Sequence, residues 1–455
     1  MVGRRGLLTL DALREHVKAG TIDTVLVAIT DMQGRLQGKR CSAEYFLEEV
    51  VGHATEACNY LLAVDVDMNT VDGYAISSWD AGYGDFVLRP DFTTLRLVPW
   101  QEGTALVLAD VERVDDGGPV AVSPRQVLRR QLERLAEKKL QAFVGTELEF
   151  IVFDDSYEAA WDKRYQGIKP SNQYNVDYSM LGTARVEPLL RRIRNEMAGA
   201  GLYPESAKGE CNPGQHEIAF RFAEALATCD NHSVYKNGAK EIAAQEGKSL
   251  TFMAKYNERE GNSCHIHLSL RGTDGSAVLP GDGDHGFSPL MEHFLAGQLA
   301  ALRELTYFFA PNINSYKRYV RGSFAPTAVA WGTDNRTCAL RVVGHGDSLR
   351  VENRVPGGDV NPYLAVAALI AAGLHGIENE LPLEPEFTGN AYGSDKPTVP
   401  TTLGEAADVL AGSRIAREAF GDDVVDHYLN AARVEREAFE KAVTDWELIR
   451  GFERL

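Results

Sequence analysis

QAFVGTELEFIVF, residues 141–153, is the stretch that decides the fold. Val, Ile and Phe dominate it, and at thirteen residues it reads as one long strand. Period-two geometry then sends Glu147 and Glu149 to the same face. Two carboxylates side by side repel, so that face meets either solvent or a divalent cation. Immediately before it, apolar residues recur at helical spacing from Val127 to Leu140, and Ser123-Pro-Arg-Gln126 reads as a capping box with Pro at the first helical position. This part of the chain therefore opens helix then strand.

Upstream, residues 8–18 read as a short helix and IDTVLVAIT (22–30) as a strand closed by the turn Asp31-Met-Gln-Gly34. FVLRPD (86–91) and LRLVPW (95–100) read as a hairpin-like pair, followed by a strand ALVLAD (105–110). Asp115-Asp-Gly-Gly-Pro119 breaks the pattern, which divides the chain into a small strand-rich domain, 1–115, and a larger one, 120–455. Downstream, 271–288 and 381–402 read as surface loops, 362–380 as a buried Ala-rich helix, and 403–449 as exposed or intersubunit helices.

The chain has 455 residues, 47 Lys+Arg against 65 Asp+Glu (47 − 65 = −18), and 44% hydrophobic residues. That apolar content argues for a folded protein, and the negative charge argues against nucleic acid, whose phosphates need a basic footprint. The six cysteines form no CxxC pair or disulfide framework and read as reduced thiols. MVGRRGLLTL has too short an apolar run for a signal peptide and no stretch of about 18 apolar residues occurs, so neither a membrane span nor secretion is expected. A cytoplasmic location follows.

Three further clusters join Glu147 and Glu149. His265-Ile-His267 and Glu352-Asn-Arg354 repeat the same-face geometry, while Glu210 and Glu217 flank a Pro-Gly turn leading into the strand EIAFRF. Taken singly, the histidines fit a satisfied core pair and Glu352 with Arg354 a cross-strand salt bridge. Four clusters in one domain favour a site. Hard oxygen ligands with an imidazole suit Mg2+ or Mn2+ better than zinc. Lys317, Arg318, Arg321, Arg336, Arg341, Arg350 and Arg354 fall within 40 residues of one another. Metal ions and arginines together are what phosphoryl transfer uses to offset charge on a γ-phosphate.

Seven blocks in order resemble the glutamine synthetase family: Asp85-Phe-Val-Leu-Arg-Pro-Asp91, Glu147–Phe150, Asn212–Ile218, Cys264–Ser269, Asn314–Arg318, Asn335–Arg341, and Glu352 through Tyr363. The resemblance implies an α+β fold with an N-terminal β-grasp domain and a catalytic domain built on a curved antiparallel sheet. It implies ATP and two or more Mg2+ (or Mn2+) per site, and a homo-oligomer, a dodecamer of two hexameric rings with intersubunit sites. By the same resemblance Glu149, Glu210 and Glu217 hold one metal and Glu147, His265 and Glu352 the other. Phe222, His267, Ser269, Arg341 and Arg350 hold ATP, Arg318, Arg354 and Gly261 hold glutamate, and Arg336 lies near the transferred phosphate. Asp85, donated by a neighbour, and Tyr174 belong to the amine site, where a carboxylate, Asp85 with Glu210, takes the amine's proton.

The chain departs from the family where ammonium would bind. The family's Asp-Gly-Ser-Ser element is split here, with Asp72 as a substitute, its flap glutamate falls at Phe324, and Glu260 precedes Gly-Asn-Ser. The tyrosine loop that some members adenylylate is not recognisable in 388–400. An apolar ring and a relocated acid point to glutamate joined with an organic amine, with Phe324 and Glu260 as substrate-binding residues and ethanolamine as the expected amine. Polyamines and ammonia are the alternatives. A non-catalytic ring-forming protein on this fold would be expected to lose its metal carboxylates, and here all six candidate ligands are present.

Overall fold

The structure, a computed structural model, describes residues 6–455. Residues 1–5, which open the stretch read as too short for a signal peptide, lie outside the described residues. The short helix Leu10–Lys18 starts at Thr9, whose side chain accepts from the Ala12 N–H, and it buries Leu13. Six strands follow as one sheet: β1 (Thr24–Thr30), β2 (Leu36–Ser42), β3 (Thr55–Cys58), β4 (Asp85–Pro90), β5 (Arg96–Leu97) and β6 (Thr104–Arg113). Their order is β2-β1-β6-β4-β3 with β5 on β6, and β1 runs parallel to β6 while the other pairs are antiparallel.

The hairpin expected between 86–91 and 95–100 does not form. Asp91 accepts from the Thr93 N–H at 3.1 Å and starts a single 3-10 turn at Phe92–Thr94. That turn redirects the chain, so β4 pairs with Ala109–Arg113 and β5 with Ala105–Leu106 of β6, never with each other. The helix begins at Pro124, the expected first helical position, and ends at Glu137, short of Leu140. Its capping box is absent, because the Ser123 side chain makes no cap hydrogen bond. The first turn is anchored instead by buried Arg125, which bonds Asp110 at 2.6 Å, Asp91 at 2.7 Å and Asp230 at 3.0 Å. A buried cation with three carboxylates is costly to break, and it ties the first sheet to the helices Pro124–Glu137 and Ala225–Gln245.

Nine strands form the second sheet: β7 (Leu140–Phe153), β8 (Pro204–Gly209), β9 (Gln215–Phe220), β10 (Ala223–Glu224), β11 (Ser249–Thr251), β12 (Cys264–Gly272), β13 (Trp331–Thr333), β14 (Leu340–Val343) and β15 (Arg350–Asn353). They run β13-β14-β15-β12-β7-β9-β8, with β10 and β11 also on β7, antiparallel except for β13 with β14. The class is therefore α+β, as expected. The expected Ala-rich helix spans Pro362–Glu378 and is buried along nearly all its length. Asn361 caps it and also donates to the Asp31 and Met32 carbonyls at 3.1 Å each, fastening the first sheet's turn to it.

The C-terminal helices are less exposed than their charge pattern suggests. Leu403–Ala411, Arg414–Phe420 and Asp422–Lys441 bury Leu410, Phe420, Val425 and Tyr428, and only the last helix, Asp445–Gly451, buries nothing. No helix among the described residues is long and apolar enough to cross a membrane.

Candidate active site

Strand register assembles the site. Directly opposed residues of an antiparallel pair share a face, and the partners are Lys208 with Glu217, Glu217 with Glu149, Glu147 with His265, His267 with Glu352, and Glu352 with Arg341. Alternation along β7 and β12 puts all of these on one surface. Gly145, opposite His267, leaves that surface open between His267 and Phe222.

Two acidic sets result. Glu149, Glu210 and Glu217 offer ligand atoms within 4.8 Å of one another, and so do Glu147, His267 and Glu352. Glu149 accepts from the Ser263 N–H at 2.8 Å and from Gln215 Nε2 at 3.1 Å. Burial first, and then repulsion from the neighbouring carboxylates, raises the pKa of Glu149 and Glu217, with Lys208 only partly offsetting it. Lys208 pairs with Glu210 and lies 3.8 Å from Glu217. Glu149 and Glu217, both buried, and half-buried Glu210 together offer the hard oxygen ligands that suit a divalent cation.

The second set is held by imidazoles and arginines. Burial opposes charge on Glu147, yet hydrogen bonds from His265 (3.2 Å) and His267 (2.9 Å) prevail and hold its pKa below the usual range. Burial and the Arg354 charge push His265 down to about 4, leaving it neutral, the form that ligates metals. His265 Nδ1 also lies 3.5 Å from Glu352, and its Nε2 is buried without a hydrogen-bond partner among the described residues. Arg350 Nε donates to His267 Nδ1 at 3.2 Å, so the His267 hydrogen sits on Nε2 and points at Glu147. Glu352 receives Arg341 Nη1 at 2.8 Å and is paired with Arg354.

Two cavities meet at Glu147 and Ala219. One, about 540 Å3, holds both carboxylate sets together with Gly261, Glu260, Phe324, Arg336, Arg341 and Arg354. The other, about 480 Å3, is lined by Phe222, His267, Ser269 and Arg350 with Phe143, whose ring lies edge-on to Phe222 at 6.3 Å. A larger cavity of about 670 Å3, beside Tyr203 and His232, contains no carboxylate, so chemistry rather than size locates the site.

Most residues singled out from the sequence converge here, with exceptions. Arg341, expected at the nucleotide, lines the acidic cavity. Arg318 lies behind the wall, buried, donating to Ser263 Oγ at 3.2 Å and to the Pro356 carbonyl at 3.0 Å. Asp85 and Tyr174 line neither cavity, and both are exposed. Tyr178, four residues after Tyr174, does line the acidic one, with Asp177, Lys208, Cys211, Gln215 and Ser263, none of them singled out from the sequence. Lys208 was within reach, because it alternates with Glu210. Asp177 and Tyr178 lie in a loop with no periodicity to mark them.

The description "glutamine synthetase, catalytic domain" fits residues 121–450. The chain is 69% identical over 98% of its length, and 96% of the relative's, to a gamma-glutamylethanolamide synthetase, GlnA4, of Streptomyces coelicolor. It is 38% identical to a glutamate–isopropylamine ligase of a Pseudomonas species, covering 96% of each chain. It is 32% identical to the gamma-glutamylputrescine synthetase PuuA of Escherichia coli, covering 93% of this chain and 90% of that one. A solved GmaS/ADP complex superposes with a TM-score of 0.85 at 27% identity, covering 97% of this chain and 99% of that one.

Proposed function

The chain belongs to the glutamine synthetase family, and on that premise we propose that it joins the γ-carboxylate of glutamate to ethanolamine with the energy of ATP. The observation that carries the reaction class is the junction of the two cavities at Glu147, which sets an aromatic-walled pocket against two carboxylate sets. The choice of amine is supported by the relative at 69% identity and by Phe324, an apolar ring where the resemblance has a flap glutamate.

A carboxylate is a poor electrophile at neutral pH, so ATP first phosphorylates the glutamate side chain, and the amine then displaces phosphate from the γ-glutamyl phosphate. Phe222, Ser269 and Arg350 hold the nucleotide. Glu149, Glu210 and Glu217 hold one Mg2+, and Glu147, Glu352 and His265 a second. His265 is taken as the imidazole of the second set from the resemblance, and His267 stands beside it, its Nε2 2.9 Å from Glu147. Bound there, Mg2+ would neutralise phosphate charge. Arg336 and Arg341 stabilise the oxygens of the transferring group. Arg354 and Gly261 receive glutamate at the cavity wall, with Arg318 behind them, while Glu260 and Phe324 border the amine.

Domains of 1–115 and 120–455 and a homo-oligomer of two hexameric rings complete the proposal. Asp85 stands exposed at the start of β4, and in the proposed assembly a neighbouring subunit would present it to the amine side. Tyr174 is exposed, three residues before Asp177 in the same loop.

The test is phosphate release from Mg2+-ATP and glutamate with a panel of ethanolamine, ammonium, putrescine, spermidine and ethylamine, with products identified by mass spectrometry. Ethanolamine with its γ-glutamyl adduct is the expected result. Turnover with ammonium alone would return the chain to glutamine synthesis, and no turnover with any amine would end the ligase reading.

A further inference from the structure

Seven carboxylates line the 540 Å3 cavity, and five of them belong to the two metal-binding sets. The remaining two are Asp177 and Glu260. Neither is in a salt bridge among the described residues, whereas Glu210 is already paired with Lys208 and Glu352 with two arginines. Asp177 and Glu260 flank Cys211. The Cys211 thiol donates to Asp177 Oδ2 at 3.7 Å, and burial followed by the charges of Asp177, Glu210 and Glu260 raises its pKa to about 11. A thiol is a weak donor, so the Asp177 carboxylate lacks a strong partner. The cation delivered to this cavity in each turnover is the amine, which is protonated at neutral pH.

The segment that carries Asp177 is firmly seated. Val176 is fully buried, and its carbonyl oxygen would lie 2.3 Å from a Cβ at Gly209, so a glycine is required beneath it. The Asp177 N–H donates to Asn175 Oδ1 at 2.8 Å. Tyr178 is held at φ 53°, costly for a bulky residue, with its ring 4.8 Å from Lys208 Nζ. Phe324, across the same cavity, is likewise at φ 56°. Two strained aromatic residues thus stand at a cavity where Asp177 has no ion-pair partner among the described residues, while Glu260 feels the charge of Lys255.

We propose that Asp177, from the same chain as the metal-binding carboxylates, receives the incoming amine as its ammonium ion and takes its first proton. This rests on the ligase reading above. The ammonium gives H+ to the carboxylate, and the freed nitrogen lone pair forms the C–N bond at the γ-carbonyl. The C–O bond to phosphate breaks, phosphate leaves with the electron pair, and the second nitrogen proton follows it. Asp177 is exposed and returns its proton to solvent.

The experiment compares wild type with Asp177→Asn and Asp177→Glu, using ethanolamine and hydroxylamine as nucleophiles. Hydroxylamine is uncharged at neutral pH and needs no carboxylate to receive it. Losing a charge-assisted contact costs ~10- to 100-fold. Asp177→Asn therefore lowers the ratio of kcat/KM for ethanolamine to that for hydroxylamine by about that factor. The deficit appears in the KM for the amine and shrinks as pH rises toward the amine's own pKa, and Asp177→Glu restores part of the ratio. A merely structural role would lower both nucleophiles alike and leave the deficit independent of pH. An unchanged ratio, or a fall produced by Asp85→Asn but not by Asp177→Asn, would overturn the assignment. Failure of the wild type with both nucleophiles would instead strike at the ligase reading itself.

Discussion

Glu149 concentrates the chemistry of the site in one side chain. It is 8% exposed, paired across strands with Glu217, and raised in pKa by burial and repulsion. Such a group costs stability unless a cation accompanies it. Glu149→Gln is expected to abolish phosphate release, and in the presence of chelator to melt no lower than the wild type, because a buried charge has gone. Retained turnover would contradict its place as a ligand. At Phe324, substitution by Glu restores an acid at the cavity mouth and is expected to shift preference from ethanolamine toward ammonium, read as the ratio of the two kcat/KM values. An unchanged amine profile would contradict the packing role of the ring. Glu149 was legible because alternation along β7 places i and i+2 on one face, and Phe324 only because the resemblance has a flap glutamate there. Which imidazole meets which carboxylate was not, since that depends on the register between strands more than 100 residues apart. Tyr178 escaped because nothing local separates it from Tyr174. Val176, between them, is fully buried.

Among the elements, the helix Pro362–Glu378 was readable as buried from its Ala-rich composition, yet its partner was not. It crosses Pro289–Ala301 at a close approach in which a Cβ on Gly376 would lie 2.0 Å from the His293 carbonyl oxygen and 2.6 Å from Gly297 N. Backbone contact of that kind admits no side chain. Gly376→Val is expected to cost about 1–3 kcal/mol by overpacking, seen as a lower urea midpoint with little change in KM for ATP. An unaltered midpoint would mean that the helices separate without penalty. The missing hairpin between 86–91 and 95–100 has the opposite lesson. Both segments have strand composition, but the Asp91 turn between them sends each to a different stretch of β6. Strand propensity does not choose a partner.

For the whole molecule, the α+β class and most of the site could be read in advance, because the seven blocks occur in family order. Asp85 stands on an outward surface, while the carboxylate sets point into the cavity. Metal removal acts on the entire fold. Binding to the native state alone stabilises it by about 2.7 kcal/mol at a hundredfold excess over Kd, so Mg2+ is expected to raise Tm and EDTA to reverse the rise. A Tm indifferent to Mg2+ and Mn2+ would contradict both metal sets. In the proposed reaction the γ-carboxylate is activated by phosphoryl transfer before the amine attacks. Glutamate labelled with 18O in its γ-carboxylate tests it directly, with ethanolamine as acceptor and the released phosphate read by mass spectrometry. Transfer of one 18O into phosphate for each γ-glutamyl amide formed is the predicted result, and unlabelled phosphate would contradict the account.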